Sequence, residues 1–477
     1  MPALGGVGRA SCAQVRYIEV MDASAHFRGK KITVMGLGLL GRGVGDARYL
    51  AECGAELIVT DLKTREQLAE SVAQLELFSN ITFVLGEHRL EDFKGRDLIL
   101  KAAGVPLDSP YIAEAKKNSI PVRMSADLFA EISGIPIVGI TGTRGKSTVT
   151  HMLHAILKEA GKKIVLGGNV RGVSTLSLLR EVTPYGSHKV TPRREVSPCG
   201  LRGVAVLELD SWQLQGWGEA RMSPHIAIFT TLYLDHLNYY EKHPEQYLAD
   251  KANIFLYQTT QDTLVLGKQC AAILIEKYAD RIDSRTIVAD ELKLPDTWVL
   301  CILGMHNRYD AALALAAARA LDIPDETSRK ALESFTGVPG RLELIAEKNG
   351  VKIYNDTTAT TPEATLAALS ALNDGFTKPN IILIMGGADK GLDMGALVAT
   401  LSKLKRTILL AGSGTDRMKG ELPDAPVFPS LKEAVMDAFA HAESGDTILF
   451  SPAFASFGMF KNEYDRGDQL NALVKEL

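Results

Sequence analysis

The sequence predicts an α/β protein of three domains, and three observations carry that prediction. Short apolar segments alternate with helical ones from residue 30 to 125. A glycine-rich turn joins an apolar strand to a helix near residue 140. A fresh series of strands begins near residue 338. Alternation of this kind builds parallel sheets with crossover helices. A chain of 477 residues also exceeds what one ordinary core can organise. We therefore expect an N-terminal extension over 1–29 and domains over 30–125, 126–337 and 338–477.

Residues 1–29 lack the long apolar stretch of a secretory leader and are expected to be poorly constrained. Strands follow at Lys31–Gly36, Glu56–Asp61, Ile81–Leu85 and Asp97–Ala102. The first strand turns through Gly36-Leu-Gly38-Leu-Leu-Gly41, and the acidic residue Asp61 ends the second. This is a dinucleotide-binding fingerprint on a Rossmann-like unit. Taken alone it would predict NAD and an oxidoreductase. The other reading is a turn packing helix on strand over some other nucleotide's phosphates.

The second domain opens with the apolar run Ile135–Ile140, then Thr141-Gly-Thr-Arg-Gly-Lys-Ser-Thr148, then a helical pattern at Val149, Met152, Leu153, Ile156 and Leu157. Strand, glycine loop, Lys-Ser/Thr and helix make a P-loop, a phosphate cradle. Backbone N–H groups face the phosphates, Lys146 neutralises charge and a hydroxyl can hold Mg²⁺. The general pattern wants glycine at position 140, which is Ile140; the glycines fall at 139, 142 and 145. A nucleoside triphosphate is still the expected ligand, held by Gly142, Thr143, Arg144, Gly145, Lys146, Ser147 and Thr148. A buried strand, Val204–Leu209, carries Glu208 near its carboxyl end, where a carboxylate can hold Mg²⁺. Thr183–Gly200 reads as a polar surface loop. The strand Ile226–Thr230 leads to Asp235-His236 and a helical segment through Lys251. By residue type alone His236 would be a structural histidine and Lys251 a surface lysine. Gly304-Met-His-Asn307 precedes the helix Ala311–Leu321.

The third domain restarts with Leu342–Ala346, Val351–Tyr354, Asn380–Met385, Thr407–Leu410 and Asp446–Phe450. Gly386-Gly-Ala-Asp-Lys390 follows one strand. Ser451-Pro-Ala-Phe-Ala-Ser456 follows another and leads to Lys461-Asn462 and Arg466-Gly467. Small and hydroxyl residues beside Lys390 suit an anionic small molecule.

Composition narrows the class. With 46% hydrophobic and 23% charged residues the chain is a globular protein, and a net charge of −4 gives no reason to expect nucleic acid. No apolar run approaches the ~20 residues of a membrane span. Cysteines 12, 53, 199, 270 and 301 form no CxxC pair, so free thiols and a cytoplasmic location are expected.

Together these motifs resemble the Mur ligase family over residues 30–477. Thr141–Thr148 is similar to the family's ATP loop, Gly168-Asn169 to its substrate turn, and Val206–Leu214 to its glutamate-bearing strand. Asp235-His236 with Lys251 resembles its metal histidine and carbamylated lysine, and Gly304–Asn307 its adenine-contacting motif. Gly340-Arg341 and Asn355-Asp356 open the third domain as the family does. The string Ser451–Phe457, Phe460-Lys-Asn462, Arg466-Gly467 is the most discriminating, and resembles the branch adding D-glutamate to UDP-N-acetylmuramoyl-L-alanine.

The resemblance implies catalysis by Lys146, Glu208, His236 and Lys251, with Mg²⁺ on Ser147, Glu208, His236 and a carbamylated Lys251. It adds Asn307, Asp310, Arg341 and Asp356 to the ATP site. It assigns Gly38, Leu39, Leu40, Asp61, Lys63, Gly104, Asn169, Ser211 and Gln213 to the UDP-sugar, and Thr358, Thr360, Lys390 and Ser456 to the amino acid. It implies a three-domain monomer working on small molecules by way of an acylphosphate.

Four departures stand out. Thr358 occupies the place of a lysine that contacts the amino-acid carboxylate, and Glu463 that of an aromatic. Asp310 replaces an asparagine, and Ala102-Ala103 replaces Ser-Pro. The first two leave an L-glutamate-adding branch open. A folylpolyglutamate-type ligase would share the central domain but not the first.

Overall fold

The computed structural model describes residues 23–38, 41–182, 203–233, 240, 244–372 and 379–477. The chain divides into two compact units. One is Met1–Ile137 with Val165–Ala205 and Trp212–Met222; the other is Val138–Ile164 with Val206–Ser211 and Ser223–Leu477. Three sheets give three α/β domains.

The first sheet consists of β1 (Lys31–Met35), β2 (Glu56–Asp61), β3 (Ile81–Leu85), β4 (Leu98–Lys101) and β5 (Val122–Arg123). Its order is β3-β2-β1-β4-β5, parallel throughout. Central β1 and β4 are buried almost end to end, because helices cover both faces of such a sheet. Strand order reverses between β1 and β4, and a ligand crevice is expected outside the carboxyl ends there.

The second sheet consists of β6 (Ile137–Thr141), β7 (Ile164–Gly168), β8 (Val204–Glu208), β9 (Ile226–Phe229), β10 (Thr263–Gly267) and β11 (Arg285–Ala289). It runs β11-β10-β9-β6-β8-β7. The helix Lys146–Glu159 follows β6 and buries Val149, Met152, Leu153, Ile156 and Leu157. That i, i+3, i+4, i+7, i+8 stripe faces the helices Met305–Ala320 and Asp325–Glu333. Burying those five side chains contributes on the order of 10 kcal/mol before ordering entropy is subtracted.

The third sheet consists of β12 (Glu343–Lys348), β13 (Val351–Asn355), β14 (Ile381–Gly386), β15 (Arg406–Leu410), β16 (Val427–Phe428) and β17 (Thr447–Phe450). Its order is β12-β13-β17-β14-β15-β16. Only β12 runs antiparallel, as a hairpin with β13. Alternate residues of β14 and β17 feed two cores: Leu383, Met385 and Leu449 on one face, Ile382, Ile384, Ile448 and Phe450 on the other.

Most strands expected from sequence form within a residue or two. β5, β7, β10, β11 and β16 were not singled out. β11 is a largely exposed edge and β5 and β16 have two residues each, so their patterns are weak. The helix expected at Ala311 begins at Met305. No helix among the described residues is long and apolar enough to cross a membrane. Residues 1–22 of the extension expected over 1–29, and residues 183–202, on which a surface loop was expected, lie outside the described residues; Ala23–Phe27 is not loose but forms a helix whose Phe27 is buried.

Candidate functional site

In the first unit the turn after β1 is shaped by Asp61 at the end of β2. Its Oδ2 accepts from the N–H groups of Leu37 (2.9 Å) and Gly38 (3.2 Å), and its Oδ1 from that of Lys63 (2.9 Å). A pocket opens beside this turn, at the strand-order reversal. Gly38, Arg42, Asp46, Lys101, Gly104 and Gln213 are among its lining residues. Arg42 donates to Asn169 Oδ1 at 2.5 Å, so four of the expected UDP-sugar residues gather here: Gly38, Gly104, Gln213 and Asn169. Lys63 is half-buried, whereas Leu39 and Leu40 lie outside the described residues.

Sequence reading passed over three charged groups of this pocket. Arg42 directly follows the glycine fingerprint. Lys101 interrupts the apolar β4, is 2% exposed and donates to Val105 O at 2.8 Å. Asp46 is buried, and Ser125 and Ser174 both donate to its carboxylate. Burial pushes its pKa up against those bonds. A lysine inside an apolar strand was the visible signal.

In the second unit the glycine loop leaves β6 and enters the helix Lys146–Glu159. Gly142 (φ 139°) and Gly145 (φ 84°) adopt backbone that side chains rarely reach. Space forbids side chains too. A Cβ on Gly142 would lie 2.0 Å from Thr230 Oγ1, and one on Gly145 2.4 Å from Asp310 Oδ1. The loop is braced from the end of β9. Thr143 N–H donates to Thr231 O (2.7 Å), Arg144 N–H to Thr231 Oγ1 (2.9 Å), and Thr230 Oγ1 to Arg144 O. Lys146 Nζ folds back onto Gly142 O (3.1 Å) and Thr143 O (3.2 Å).

Leu209 N–H donates to Ile140 O at 2.8 Å, which sets the end of β8 beside the start of the loop. Glu208 is buried there, at 4% exposure. Lys251 is no surface lysine. It is 2% exposed, donates to Gly142 O (2.9 Å) and Thr141 Oγ1 (3.3 Å), and lies over the Tyr247 ring. His236 is outside the described residues. Among the described residues no group of three or more His, Cys, Asp or Glu is arranged to hold a metal.

Two of the expected ATP residues, Arg341 and Asp310, reach this loop, whereas the bonds of Asn307 and Asp356 go elsewhere. Arg341 Nη2 donates to Ser147 Oγ at 2.9 Å. Asp310 bonds Thr148, and burial lifts its pKa well above the ordinary carboxylate range despite the nearby charge of Arg341. Asn307 opens the helix Met305–Ala320 and donates to Leu303 O at 2.6 Å. Asp356 accepts from Ser451 Oγ (2.8 Å) and Leu342 N–H (3.0 Å); its burial raises its pKa to about 7.

Three loops leave the carboxyl ends of β13, β17 and β14, which are neighbours in the third sheet. They carry Thr358 and Thr360, Ser456, and Lys390. Ala453 N–H donates to Ala359 O (2.9 Å), and Ala388 and Ala455 exchange two backbone bonds. Lys390 Nζ donates to Thr360 Oγ1 at 3.1 Å. Thr358 turns instead to Gly340 O, at 3.0 Å. Arg144 Nη2 reaches Thr361 Oγ1 at 2.8 Å and joins the glycine loop to this cluster. Ser211, expected at the UDP-sugar, is buried at the start of the helix Ser211–Glu219.

Three family descriptions match successive parts of the chain. The family description "Mur ligase MurD-like, N-terminal domain" matches residues 30–124. "Mur ligase middle domain" matches 140–293, and "Mur ligase, glutamate ligase domain" matches 340–454. The UDP-N-acetylmuramoylalanine--D-glutamate ligase of Roseiflexus sp. (strain RS-1) is 35% identical over 486 aligned positions, covering 94% of this chain and 98% of that protein. The UDP-N-acetylmuramate-alanine ligase MurC of Thermotoga maritima shares the fold at a TM-score of 0.59 and 18% identity, over 94% of this chain and 99% of that one. A MurF ligase of the same organism, solved with ADP, aligns at 0.55 and 16%, over 95% and 96%.

Proposed function

This chain belongs to the Mur ligase family, and we propose that it joins D-glutamate to UDP-N-acetylmuramoyl-L-alanine while ATP is cleaved to ADP and phosphate. The observation that carries this reading is the full-length similarity to a D-glutamate ligase. The site geometry agrees with it: a braced phosphate loop is tied through Arg341–Ser147 and Arg144–Thr361 to loops suited to an anionic amino acid.

In this reading the domains are 30–125 for the UDP-sugar, 126–337 for ATP and 338–477 for the amino acid. The protein acts as a monomer in the cytoplasm. ATP use is supported by the glycine loop and by the ADP held in the related MurF structure. Gly142 to Thr148 cradle the triphosphate, with Lys146 released from its two loop carbonyls to bridge phosphate oxygens. Asn307 and Asp310 lie toward the base, and Arg341 and Asp356 complete the phosphate side.

The γ-phosphoryl group passes to the carboxylate oxygen of the alanyl substrate, and ADP leaves. The glutamate amine attacks the resulting acylphosphate carbon, the tetrahedral adduct collapses, and phosphate departs as the amide forms. The protein's part is to align the reactants and offset charge. The UDP-sugar is held by Gly38, Leu39, Leu40, Asp61, Lys63, Gly104, Asn169, Ser211 and Gln213. Lys390, Thr360, Thr358 and Ser456 hold the amino acid.

Ser147 and Glu208 fit Mg²⁺, since both offer hard oxygen donors beside the loop. The Lys251 ammonium observed here does not fit as a ligand, because it is a cation donating to Gly142 O. Carbamylation would turn it into an oxygen donor, with His236 completing the set. Mg²⁺ bound there would offset the triphosphate charge.

The test is ATP-dependent phosphate release with UDP-N-acetylmuramoyl-L-alanine and either D- or L-glutamate, in Mg²⁺ and bicarbonate. Release with D-glutamate alone supports the reading. Release with L-glutamate alone moves the chain to the other branch, and release with neither overturns the assignment.

A further inference from the structure

Behind the amino-acid loops lies a cation that the mechanism above does not use. Arg466 sits in the first turn of the helix Glu463–Glu476 and is 0% exposed. Its Nη2 donates to Thr357 O (2.7 Å), its Nε to Thr357 Oγ1 (3.2 Å) and its Nη1 to Phe454 O (3.2 Å). The guanidinium lies 5.9 Å from the Phe450 ring centroid and 6.0 Å from that of Phe460. Among the described residues no carboxylate lies within ion-pair distance of it. A buried charge without a paired counter-ion is costly, and here three hydrogen bonds and two aromatic faces offset that cost. Burial pulls its pKa down to about 10 against the charge of Glu463, so it stays charged at neutral pH.

The placement is specific. Thr357 directly precedes Thr358 and lies three residues from Thr360; Phe454 lies two residues from Ser456. One guanidinium thus holds the backbone of two of the three amino-acid loops. The same helix adds a further tie, since Thr357 Oγ1 also donates to Glu463 O at 2.8 Å. The neighbouring Gly467 leaves no room for a side chain: a Cβ there would lie 2.6 Å from Thr357 Cγ2. Thr358 supplies no cation in its own loop.

We propose that Arg466 is a positioning residue for the incoming amino acid. It fixes the loops bearing Thr358, Thr360 and Ser456 against one another and lends the site a buried positive charge that favours a substrate with an extra carboxylate. This rests on the glutamate-ligase reading. A neutral hydrogen-bonding side chain could retain part of the scaffold but not the charge, which separates this role from a purely structural one.

The experiment compares wild type, Arg466→Lys, Arg466→Gln and Glu463→Gln in the phosphate-release assay, titrating glutamate and ATP separately, with thermal unfolding alongside. Arg466→Gln is expected to raise KM for glutamate by roughly 10-fold or more, and Arg466→Lys by clearly less. KM for ATP should stay within about twofold in both. Glu463→Gln removes the nearest opposing carboxylate and should lower KM for glutamate about twofold to threefold. That arm stands even if the arginine variants do not fold. The proposal is overturned if KM for glutamate is unmoved in Arg466→Gln. It is also overturned if Lys and Gln behave alike or, where neither folds, if Glu463→Gln leaves KM unchanged. A wild type active with glutamate but variants of this kind would sink the proposal alone. A wild type inactive with glutamate would sink the ligase reading and the proposal together.

Discussion

Replacing Asp356 by asparagine should flatten part of the pH dependence of stability. Its carboxyl is 8% exposed, and burial raises its pKa from 3.8 to about 7, outweighing the bonds from Ser451 and Leu342 and the charge of Arg341. The unfolded chain releases that proton near the lower value. Between about pH 4 and about pH 7 the folded state therefore binds more protons than the unfolded one. Stability falls as pH rises through that window and levels off above it. Integrated from pH 5 to pH 8, the loss is on the order of 3 kcal/mol. Asparagine stays neutral across the range. Its oxygen can keep the Leu342 N–H bond, and Ser451 can direct its hydroxyl to Thr365 Oγ1, 2.9 Å away. The two proteins should thus be nearly matched at pH 5, with the variant more stable by on the order of 3 kcal/mol at pH 8. Urea unfolding of both at each pH, without nucleotide, measures this. A difference between them that changes by less than about 0.5 kcal/mol across the two pH values would refute the reasoning.

Other outcomes follow from the same geometry. Arg341→Ala loses a charged hydrogen bond to Ser147 of about 1.5–3 kcal/mol, so kcat/KM for ATP should fall roughly 10- to 150-fold; a loss under about threefold counts against its place at the phosphates. Gly145→Ala should destabilise by about 1–2 kcal/mol from its left-handed backbone alone, plus the overlap with Asp310. Asp310→Ala should relieve the second part only, giving a coupling of about 1 kcal/mol or more in a double-mutant cycle by urea unfolding; simple additivity would contradict the close approach. Native mass spectrometry in bicarbonate should find one added carbon dioxide, absent from Lys251→Arg; an unmodified, fully active enzyme would exclude the carbamylated ligand.

Much of this was legible in the sequence because it is local. The glycine loop, its strand and its apolar helix stripe lie within about twenty consecutive residues, and periodicity reports them directly. The loops after β14 and β17 were visible as small-residue turns closing apolar runs. What the pattern could not supply is contact between distant segments. Nothing around Thr230 and Thr231 announces that they brace a loop some 90 positions earlier. Thr361 gives no sign that Arg144 will reach it. Lys251 reads as a surface lysine by residue type alone; only the family resemblance pointed it toward the site, and its burial over Tyr247 shows that it is no surface lysine. Asp61 read as a ligand residue, and its spacing gave no sign that both its oxygens would also bond turn amides. The edge strand β11 escaped because solvent exposure erases alternation.

The bracing of the glycine loop has a thermodynamic consequence. Its backbone is already fixed by bonds to Thr230 and Thr231, and Lys146 rests on carbonyls of its own loop. The conformational entropy of that segment is therefore lost when the protein folds and not when nucleotide arrives. Triphosphate entering such a cradle has to redirect one flexible side chain and leave the main chain in place. Calorimetry should accordingly find a small entropic penalty for nucleotide binding, and weakening the brace with Thr231→Val should enlarge that penalty before it abolishes affinity.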